Sequence, residues 1–97
     1  MLNLPMLGTE HQTESSKFQV TLVVKIDKNK QPFEYPRINR FFDNLNDRNT
    51  FIKLFESSIN EAGGSLKPDI RLSHSLFESF NVVDERGKCN YALTVYK

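Results

Sequence analysis

The last third of the chain alternates apolar and polar side chains on both sides of one turn, and this pattern restricts the fold most. The apolar positions of its two arms are Ile70, Leu72, Leu76, Phe80 and Val82, followed by Cys89, Tyr91, Leu93 and Val95. Asp84-Glu85-Arg86-Gly87 lies between the arms, with glycine where a hairpin loop needs positive φ. The pattern predicts one long antiparallel hairpin over residues 70–96. Because His74 and Glu78 fall on the face assigned to the core, a bulge or bend is expected near residues 75–79.

Another strand is predicted earlier in the chain. Apolar side chains occupy every second position over nine residues: Phe18, Val20, Leu22, Val24 and Ile26. A strict period of two, rich in β-branched residues, is typical of a strand with one buried face. The turn-forming residues 27–32 end this strand.

The region between these strands predicts helices. Pro36 suits the first position of a helix, and the apolar residues after it have helical spacing: Ile38, Phe41, Phe42 and Leu45. We therefore expect a short helix over residues 36–45. The alternative is that residues 33–46 are extended, which adds a strand and moves the charged side chains of this segment.

A longer helix is predicted over residues 47–62. Its apolar stripe consists of Phe51, Ile52, Phe55, Ile59 and Ala62. Gly63-Gly64 follows as a C-terminal stop signal.

These elements predict an α+β fold class with the order β-α(-α)-β-β. Residues 17–97 are expected to form a small single domain, a three-stranded antiparallel sheet with one or two helices packed on one face. The last strand is placed centrally, antiparallel to the first. Residues 1–16 are expected to form a flexible N-terminal tail with an apolar start, because residues 8–16 offer no apolar side chain to bury.

Size, charge and cysteine content exclude several classes of protein. The chain has 97 residues, a net charge of +1 and one cysteine. This charge argues against a strongly basic nucleic-acid binder. Small secreted proteins usually carry several cysteines, so an intracellular, cytoplasmic location is expected. No apolar run approaches the ~18 residues of a membrane span, so no membrane partner is expected.

Residues 25–42 combine cations with aromatic rings. The candidate binding residues here are Lys25, Lys28, Lys30, Phe33, Tyr35, Arg37 and Arg40. Against Asp27 and Glu34, the segment has an excess of three positive charges. Cations that meet phosphates beside rings that stack on bases are what single-stranded nucleic acid binding requires. The alternative is a solvated loop whose rings tuck into the core.

The sheet face opposite the predicted helices is a second candidate surface. It is expected to carry Thr21, Val23, Lys25, Arg71, Ser73, Phe77, Ser79, Ala92, Thr94 and Tyr96. In the expected register Phe77 lies opposite Thr94 and diagonal to Tyr96. With Arg71 nearby, these rings predict either a stacking platform for bases or a protein contact, and the alternative is an ordinary solvated face.

The apolar start of the chain is a third candidate. Leu2-Asn3-Leu4-Pro5-Met6-Leu7 resembles the short Gln-Leu-x-Leu-Pro-Leu peptide by which many bacterial replication and repair proteins dock on the sliding clamp. Here Met1 stands at the glutamine position, and an extra apolar residue follows Pro5. The resemblance implies tail docking through Leu2, Leu4 and Leu7. Packing on its own domain, self-association and disorder are the alternatives.

No catalytic or metal-binding pattern stands out in the sequence. Cys89 is expected to pack as a small hydrophobic residue, far from His74, so a cysteine–histidine pair is not expected. His11 lies in the tail, and two histidines with one cysteine at these separations make no zinc pattern. We expect no enzyme activity, no metal and no cofactor.

These considerations favour a non-enzymatic protein-binding module, an adaptor, subunit or inhibitor of a larger intracellular machine, of the kind that phages and mobile elements often carry. The expected partner is another protein. The alternative function is single-stranded or non-specific nucleic-acid binding through residues 25–42. A homodimer closed through an exposed sheet edge is a further alternative.

Overall fold

The structure, a computed structural model, describes residues 4–97 and consists of one antiparallel sheet and one α-helix. The elements in chain order are β1 (Phe18–Val24), a 3₁₀ turn (Pro32–Glu34), β2 (Arg37–Phe42), α1 (Leu45–Glu61), β3 (Ser65–Pro68), β4 (Phe77–Val83) and β5 (Cys89–Tyr96). The strands lie in the order β2-β1-β5-β4-β3. The predicted three-stranded sheet with one or two helices is therefore wrong: the sheet has five strands and α1 packs on one face.

The predicted helix over residues 36–45 is replaced by β2. Ile38 and Phe42 are four residues apart, a spacing that places two side chains on one face of a helix and equally on one face of a strand. In the structure they pair with Leu22 and Phe18 of β1. The alternative reading of an added strand is the correct one, and the turn at Pro32–Glu34 connects it to β1.

The predicted first arm of the long hairpin is also wrong over residues 70–76. β4 begins at Phe77, and residues 65–68, for which no strand was predicted, form β3. β3 pairs with β4, with Leu66 opposite Val82. The β4–β5 hairpin itself is present, with Gly87 at φ 82°. Its register shift lies between Val82 and Val83 and not near residues 75–79 as predicted.

The long helix and the central position of the last strand are confirmed. α1 begins after Asn44, whose side chain accepts a hydrogen bond from the Asp47 backbone N–H at 2.8 Å. This is the usual N-cap arrangement, which satisfies one of the unpaired N–H groups of the first turn. β5 lies between β1 and β4 and is antiparallel to both.

The hydrophobic core lies between α1 and one face of the sheet. The helix buries Phe51, Phe55 and Ile59. Across the sheet the other buried members of this cluster are Val20, Leu22, Phe42, Val82, Leu93 and Val95. Phe42 and Phe51 meet edge to face with ring centroids 5.4 Å apart. We call the opposite side of the sheet, which carries the alternate strand residues, the open face.

Candidate functional site

The basic and aromatic residues of the segment 25–42 do not form one patch. Arg37 and Arg40 are three residues apart on β2, and side chains on a strand alternate between faces. Arg37 therefore lies on the open face. Arg40 lies on the helix side, where its side chain is 18% exposed and lies 3.9 Å from Glu10. A helix would have placed the two guanidinium groups together, so the change of element separates them.

The remaining residues of this segment lie in or beside the β1–β2 connection. Lys28 donates to the Cys89 carbonyl at 3.3 Å, and Lys30 is exposed in the turn. Phe33 is exposed on the 3₁₀ turn, whereas Tyr35 is half-buried. Lys25 directly follows β1, and its backbone N–H donates to the Asn90 carbonyl at 2.7 Å.

A row of rings crosses one end of the open face. Phe41 pairs with Gln19 on β1, and Phe77 of β4 pairs with Tyr96 of β5. The Phe77 and Tyr96 ring centroids are 6.1 Å apart, and the His74 ring lies 3.9 Å from that of Phe77. Phe77 thus lies directly opposite Tyr96 and not opposite Thr94 as expected. We call Phe41, Gln19, Tyr96 and Phe77 the ring row.

Small polar side chains form the next row of the open face. Asn39, Thr21, Thr94 and Ser79 pair in that order from β2 to β4. The Asn39 carboxamide oxygen accepts from Thr21 at 2.7 Å and from Gln19 at 3.3 Å. Thr21 and Ser79 are buried. The middle of the open face is therefore a shallow depression between longer side chains, and its polar groups bond to one another.

The third row of the open face, and the position that follows it on β1, carry cations. The third row runs Arg37, Val23, Ala92, Asn81 and Lys67, which places one cation at each end. Lys25 extends the same face beyond Val23. Among the strand residues of the described part of the chain, this face carries no carboxylate.

The segment between β3 and β4, residues 69–76, is held by one buried carboxylate, and we call it the Asp69 loop. Asp69 is 8% exposed. Its carboxylate accepts from the Arg71 backbone N–H at 3.2 Å and from the Asn81 side chain at 3.3 Å. Its carbonyl accepts from the Ser73 hydroxyl at 2.9 Å and from the Leu72 N–H at 3.2 Å. These bonds fix the loop without apolar burial.

The Asp69 loop presents three large aliphatic side chains to solvent. Ile70 is 85% exposed, Leu76 69% and Leu72 54%. Sequence reasoning assigned all three to the core of a hairpin arm, because their spacing resembles that of a strand. Asp69 followed by Ser73, residue types that bond to local backbone, was the available signal for a loop. Arg71 is exposed beside them, 3.6 Å from Asp69.

The start of the described chain packs on the domain. Leu4 and Leu7 contact the core cluster, whereas Leu2 lies outside the described residues. Thr9 exchanges two backbone hydrogen bonds of 2.9 Å with Phe41, at the outer edge of β2. Gly8 has φ 76°, and a Cβ there would lie 2.7 Å from the Phe41 carbonyl oxygen, so this approach requires glycine.

The two edges of the sheet are short or partly covered. Thr9 pairs with part of the β2 edge. β3 has four residues, and Pro68 within it has no N–H to donate. Both features are typical of edges that resist pairing with another sheet.

The remaining chemical candidates are dispersed. Cys89 is half-buried, and its thiol donates to the Tyr91 carbonyl at 3.3 Å. An open pocket of about 490 Å³ lies between the end of α1 and the β4–β5 turn, lined by Ile59, Tyr91 and Lys88 among others. Across residues 4–97, no group of three His, Cys, Asp or Glu side chains is arranged to hold a metal ion.

None of the helices described in residues 4–97 is long and apolar enough to cross a membrane.

Comparison with known proteins assigns no family. No protein-family model, no curated protein and no solved structure matches this chain.

Proposed function

We propose that this chain is a small protein-binding module whose partner docks on the Asp69 loop. The observation that carries this proposal is the exposure of Ile70, Leu72 and Leu76 within eight residues. Several large apolar side chains exposed within one short segment are more typical of protein interfaces than of ordinary surface, where single ones are common. The three side chains supply an apolar contact, and Arg71 supplies a residue type enriched at interfaces.

The hydrogen bonds of Asp69 support a binding role because they fix the loop before any partner arrives. Ser73 extends this anchoring, since its hydroxyl accepts the Ser79 N–H at 3.0 Å. A preordered loop loses less conformational entropy on binding than a mobile one. For the three aliphatic side chains we propose a different protein as partner, with an apolar groove that accepts them. We propose a non-enzymatic, cytoplasmic role of this kind, an adaptor, subunit or inhibitor.

The proposal is tested with a loop variant in which Ile70, Leu72 and Leu76 are each replaced by serine. The wild-type chain, immobilised, should retain a protein from cell lysate, and that protein, once purified, should bind by calorimetry. Loss of the three aliphatic contacts should weaken its affinity by at least tenfold. Ile26→Ser with Leu54→Ser is the matched control, because these side chains are also exposed but lie elsewhere.

Equal affinity of the loop variant and the control variant for the purified partner would contradict the proposal. Sedimentation equilibrium of the isolated chain provides the second criterion. A dimer that the loop substitutions dissociate would make a second copy the occupant of the loop, and would also contradict binding to a different protein.

A further inference from the structure

The open face differs chemically from the Asp69 loop, and its cations lie along a line. Arg37 and Lys67 occupy the two ends of one row that crosses all five strands. Four inter-strand spacings separate them, about 19 Å. Lys25 lies beyond Val23, the second position of this row and the neighbour of Arg37, on the side away from the rings. A linear polyanion that crosses the strands therefore meets two cations at the β2–β1 end of the row and a third at the β3 end.

The ring row runs parallel to the line of cations. Phe41, Tyr96 and Phe77 each lie four residues along their strand from the cation row, a separation of about 13 Å. The low polar row of Asn39, Thr21, Thr94 and Ser79 lies between the two lines. The open face is thus a shallow strip with positive charge on one side and aromatic surface on the other.

Two acidic groups near this strip lie beside cations, whereas Asp27 and Glu34 of the β1–β2 connection accept local backbone N–H groups. Asp69 contacts Asn81 of the open face, but its carboxylate also lies 3.6 Å from the Arg71 guanidinium. Glu78 is on β4 but faces the helix side, where it lies 3.4 Å from Lys97. Arg37 donates to the Tyr35 carbonyl at 3.0 Å and remains exposed.

We propose that the open face binds single-stranded nucleic acid, with the phosphates along the cations Lys25, Arg37 and Lys67 and the bases on the ring row. Single-stranded nucleic acid is a linear polyanion with an aromatic group at every repeat. Two parallel lines, one cationic and one aromatic, match both parts of it. An acidic peptide matches only the cations, so the rings favour the nucleic acid. This surface shares Lys25, Phe77 and Tyr96 with the stacking platform predicted from sequence, and it differs from the predicted patch of residues 25–42 because it excludes Arg40 and the turn lysines.

Fluorescence anisotropy with a labelled 15-mer of deoxythymidine, over a range of salt concentrations, tests the proposal. The wild-type chain should bind at low salt, and log K should fall against log salt with a slope of about −2 for three phosphate contacts. The face variant K25Q/R37Q/K67Q should lose at least tenfold in affinity at low salt and most of this slope. The control K30Q/K53Q/R86Q removes the same charge from exposed positions outside the strands and should bind like the wild type.

The ring row is tested separately. Tyr96→Ser should weaken binding by about tenfold, because stacking of one base is lost, and Tyr96→Phe should retain it. Equal affinities of the face variant and the control variant would overturn the proposal, as would no binding at low salt. Tighter binding of labelled polyglutamate than of the 15-mer would overturn it as well, by assigning the face to an acidic protein. None of these measurements depends on the Asp69 loop.

Discussion

The helix α1 and the Asp69 loop are held against the sheet by opposite kinds of contact. α1 buries Phe51, Phe55 and Ile59 and turns its polar side outward. The loop is held by the polar groups of Asp69 and turns its aliphatic side chains outward. Apolar content alone therefore does not reveal whether a segment contributes its apolar side chains to folding or presents them to a partner.

The largest loss of stability should come from truncating a side chain that α1 buries against the sheet. Phe55→Ala should lower the free energy of unfolding by about 3–5 kcal/mol, because Phe55 is fully buried and a cavity remains. Leu54→Ala is the control, since the adjacent side chain is 49% exposed. Urea denaturation of both variants measures the difference. Comparable losses of unfolding free energy in the two variants would show that the buried and exposed sides of α1 do not differ in their contribution to stability.

Removal of the carboxylate that holds the loop should have an intermediate effect. Asp69→Ala should cost about 1–3 kcal/mol, because a buried hydrogen-bonding group and its contact with Asn81 are lost. Asp27→Ala is the matched control: Asp27 also accepts a local N–H, from Asn29 at 3.0 Å, but in an exposed turn. Hydrogen exchange should accelerate at the Leu72 amide only in the Asp69 variant, and unchanged protection there would show that other contacts hold the loop.

A smaller effect is expected where the N-terminal segment meets β2. Gly8→Ala and Gly87→Ala both place alanine at positive φ, and each should cost about 1 kcal/mol for that reason. Gly8→Ala should cost more, because its Cβ meets the Phe41 carbonyl, whereas nothing lies within 4 Å at Gly87. Thermal unfolding compares them. Equal decreases in unfolding temperature would mean that residues 4–9 move away from Phe41 at no cost in stability.

The smallest effect should come from the presented side chains themselves. Ile70→Ser should change the free energy of unfolding by no more than about 0.5 kcal/mol, as is usual for exposed positions. Leu66→Ser, on the half-buried β3 position that contacts the core, should cost clearly more. A loss of more than about 1 kcal/mol for Ile70→Ser would show that this side chain supports the fold.

The parts of the fold predicted from sequence are those with one unambiguous period. β1 and β5 alternate strictly, and α1 has a stripe that no strand pattern matches. β2 was misread because Ile38 and Phe42 satisfy both periods, and only pairing with β1 decides between them. β3 is four residues long and contains Pro68, so it carries almost no periodic signal.

The candidate site was harder to predict because it depends on tertiary contacts. Phe77 and Tyr96 were assigned to the open face because both lie in strands. Lys67 was missed, since its strand was missed. The Asp69 loop was missed for a different reason: the strand-like spacing of its aliphatic residues outweighed the local loop signal of Asp69 followed by Ser73. The bonds of Asp69 to Asn81 and to the Ser79 backbone, which attach the loop to the sheet, connect residues ten or more positions apart and leave no local pattern.

The central position of β5 also sets the order in which the sheet can be completed during synthesis. β1 with β2, and β3 with β4, can form as two separate hairpins while the chain emerges from the ribosome. Each then exposes, besides its outer edge, the edge of β1 or of β4 that β5 covers once residues 89–96 emerge and join the hairpins. Such edges are sites of aberrant pairing between nascent chains. The final strand therefore acts as a late closure step, and substitutions that slow its insertion should increase aggregation during expression more than their effect on the finished domain suggests.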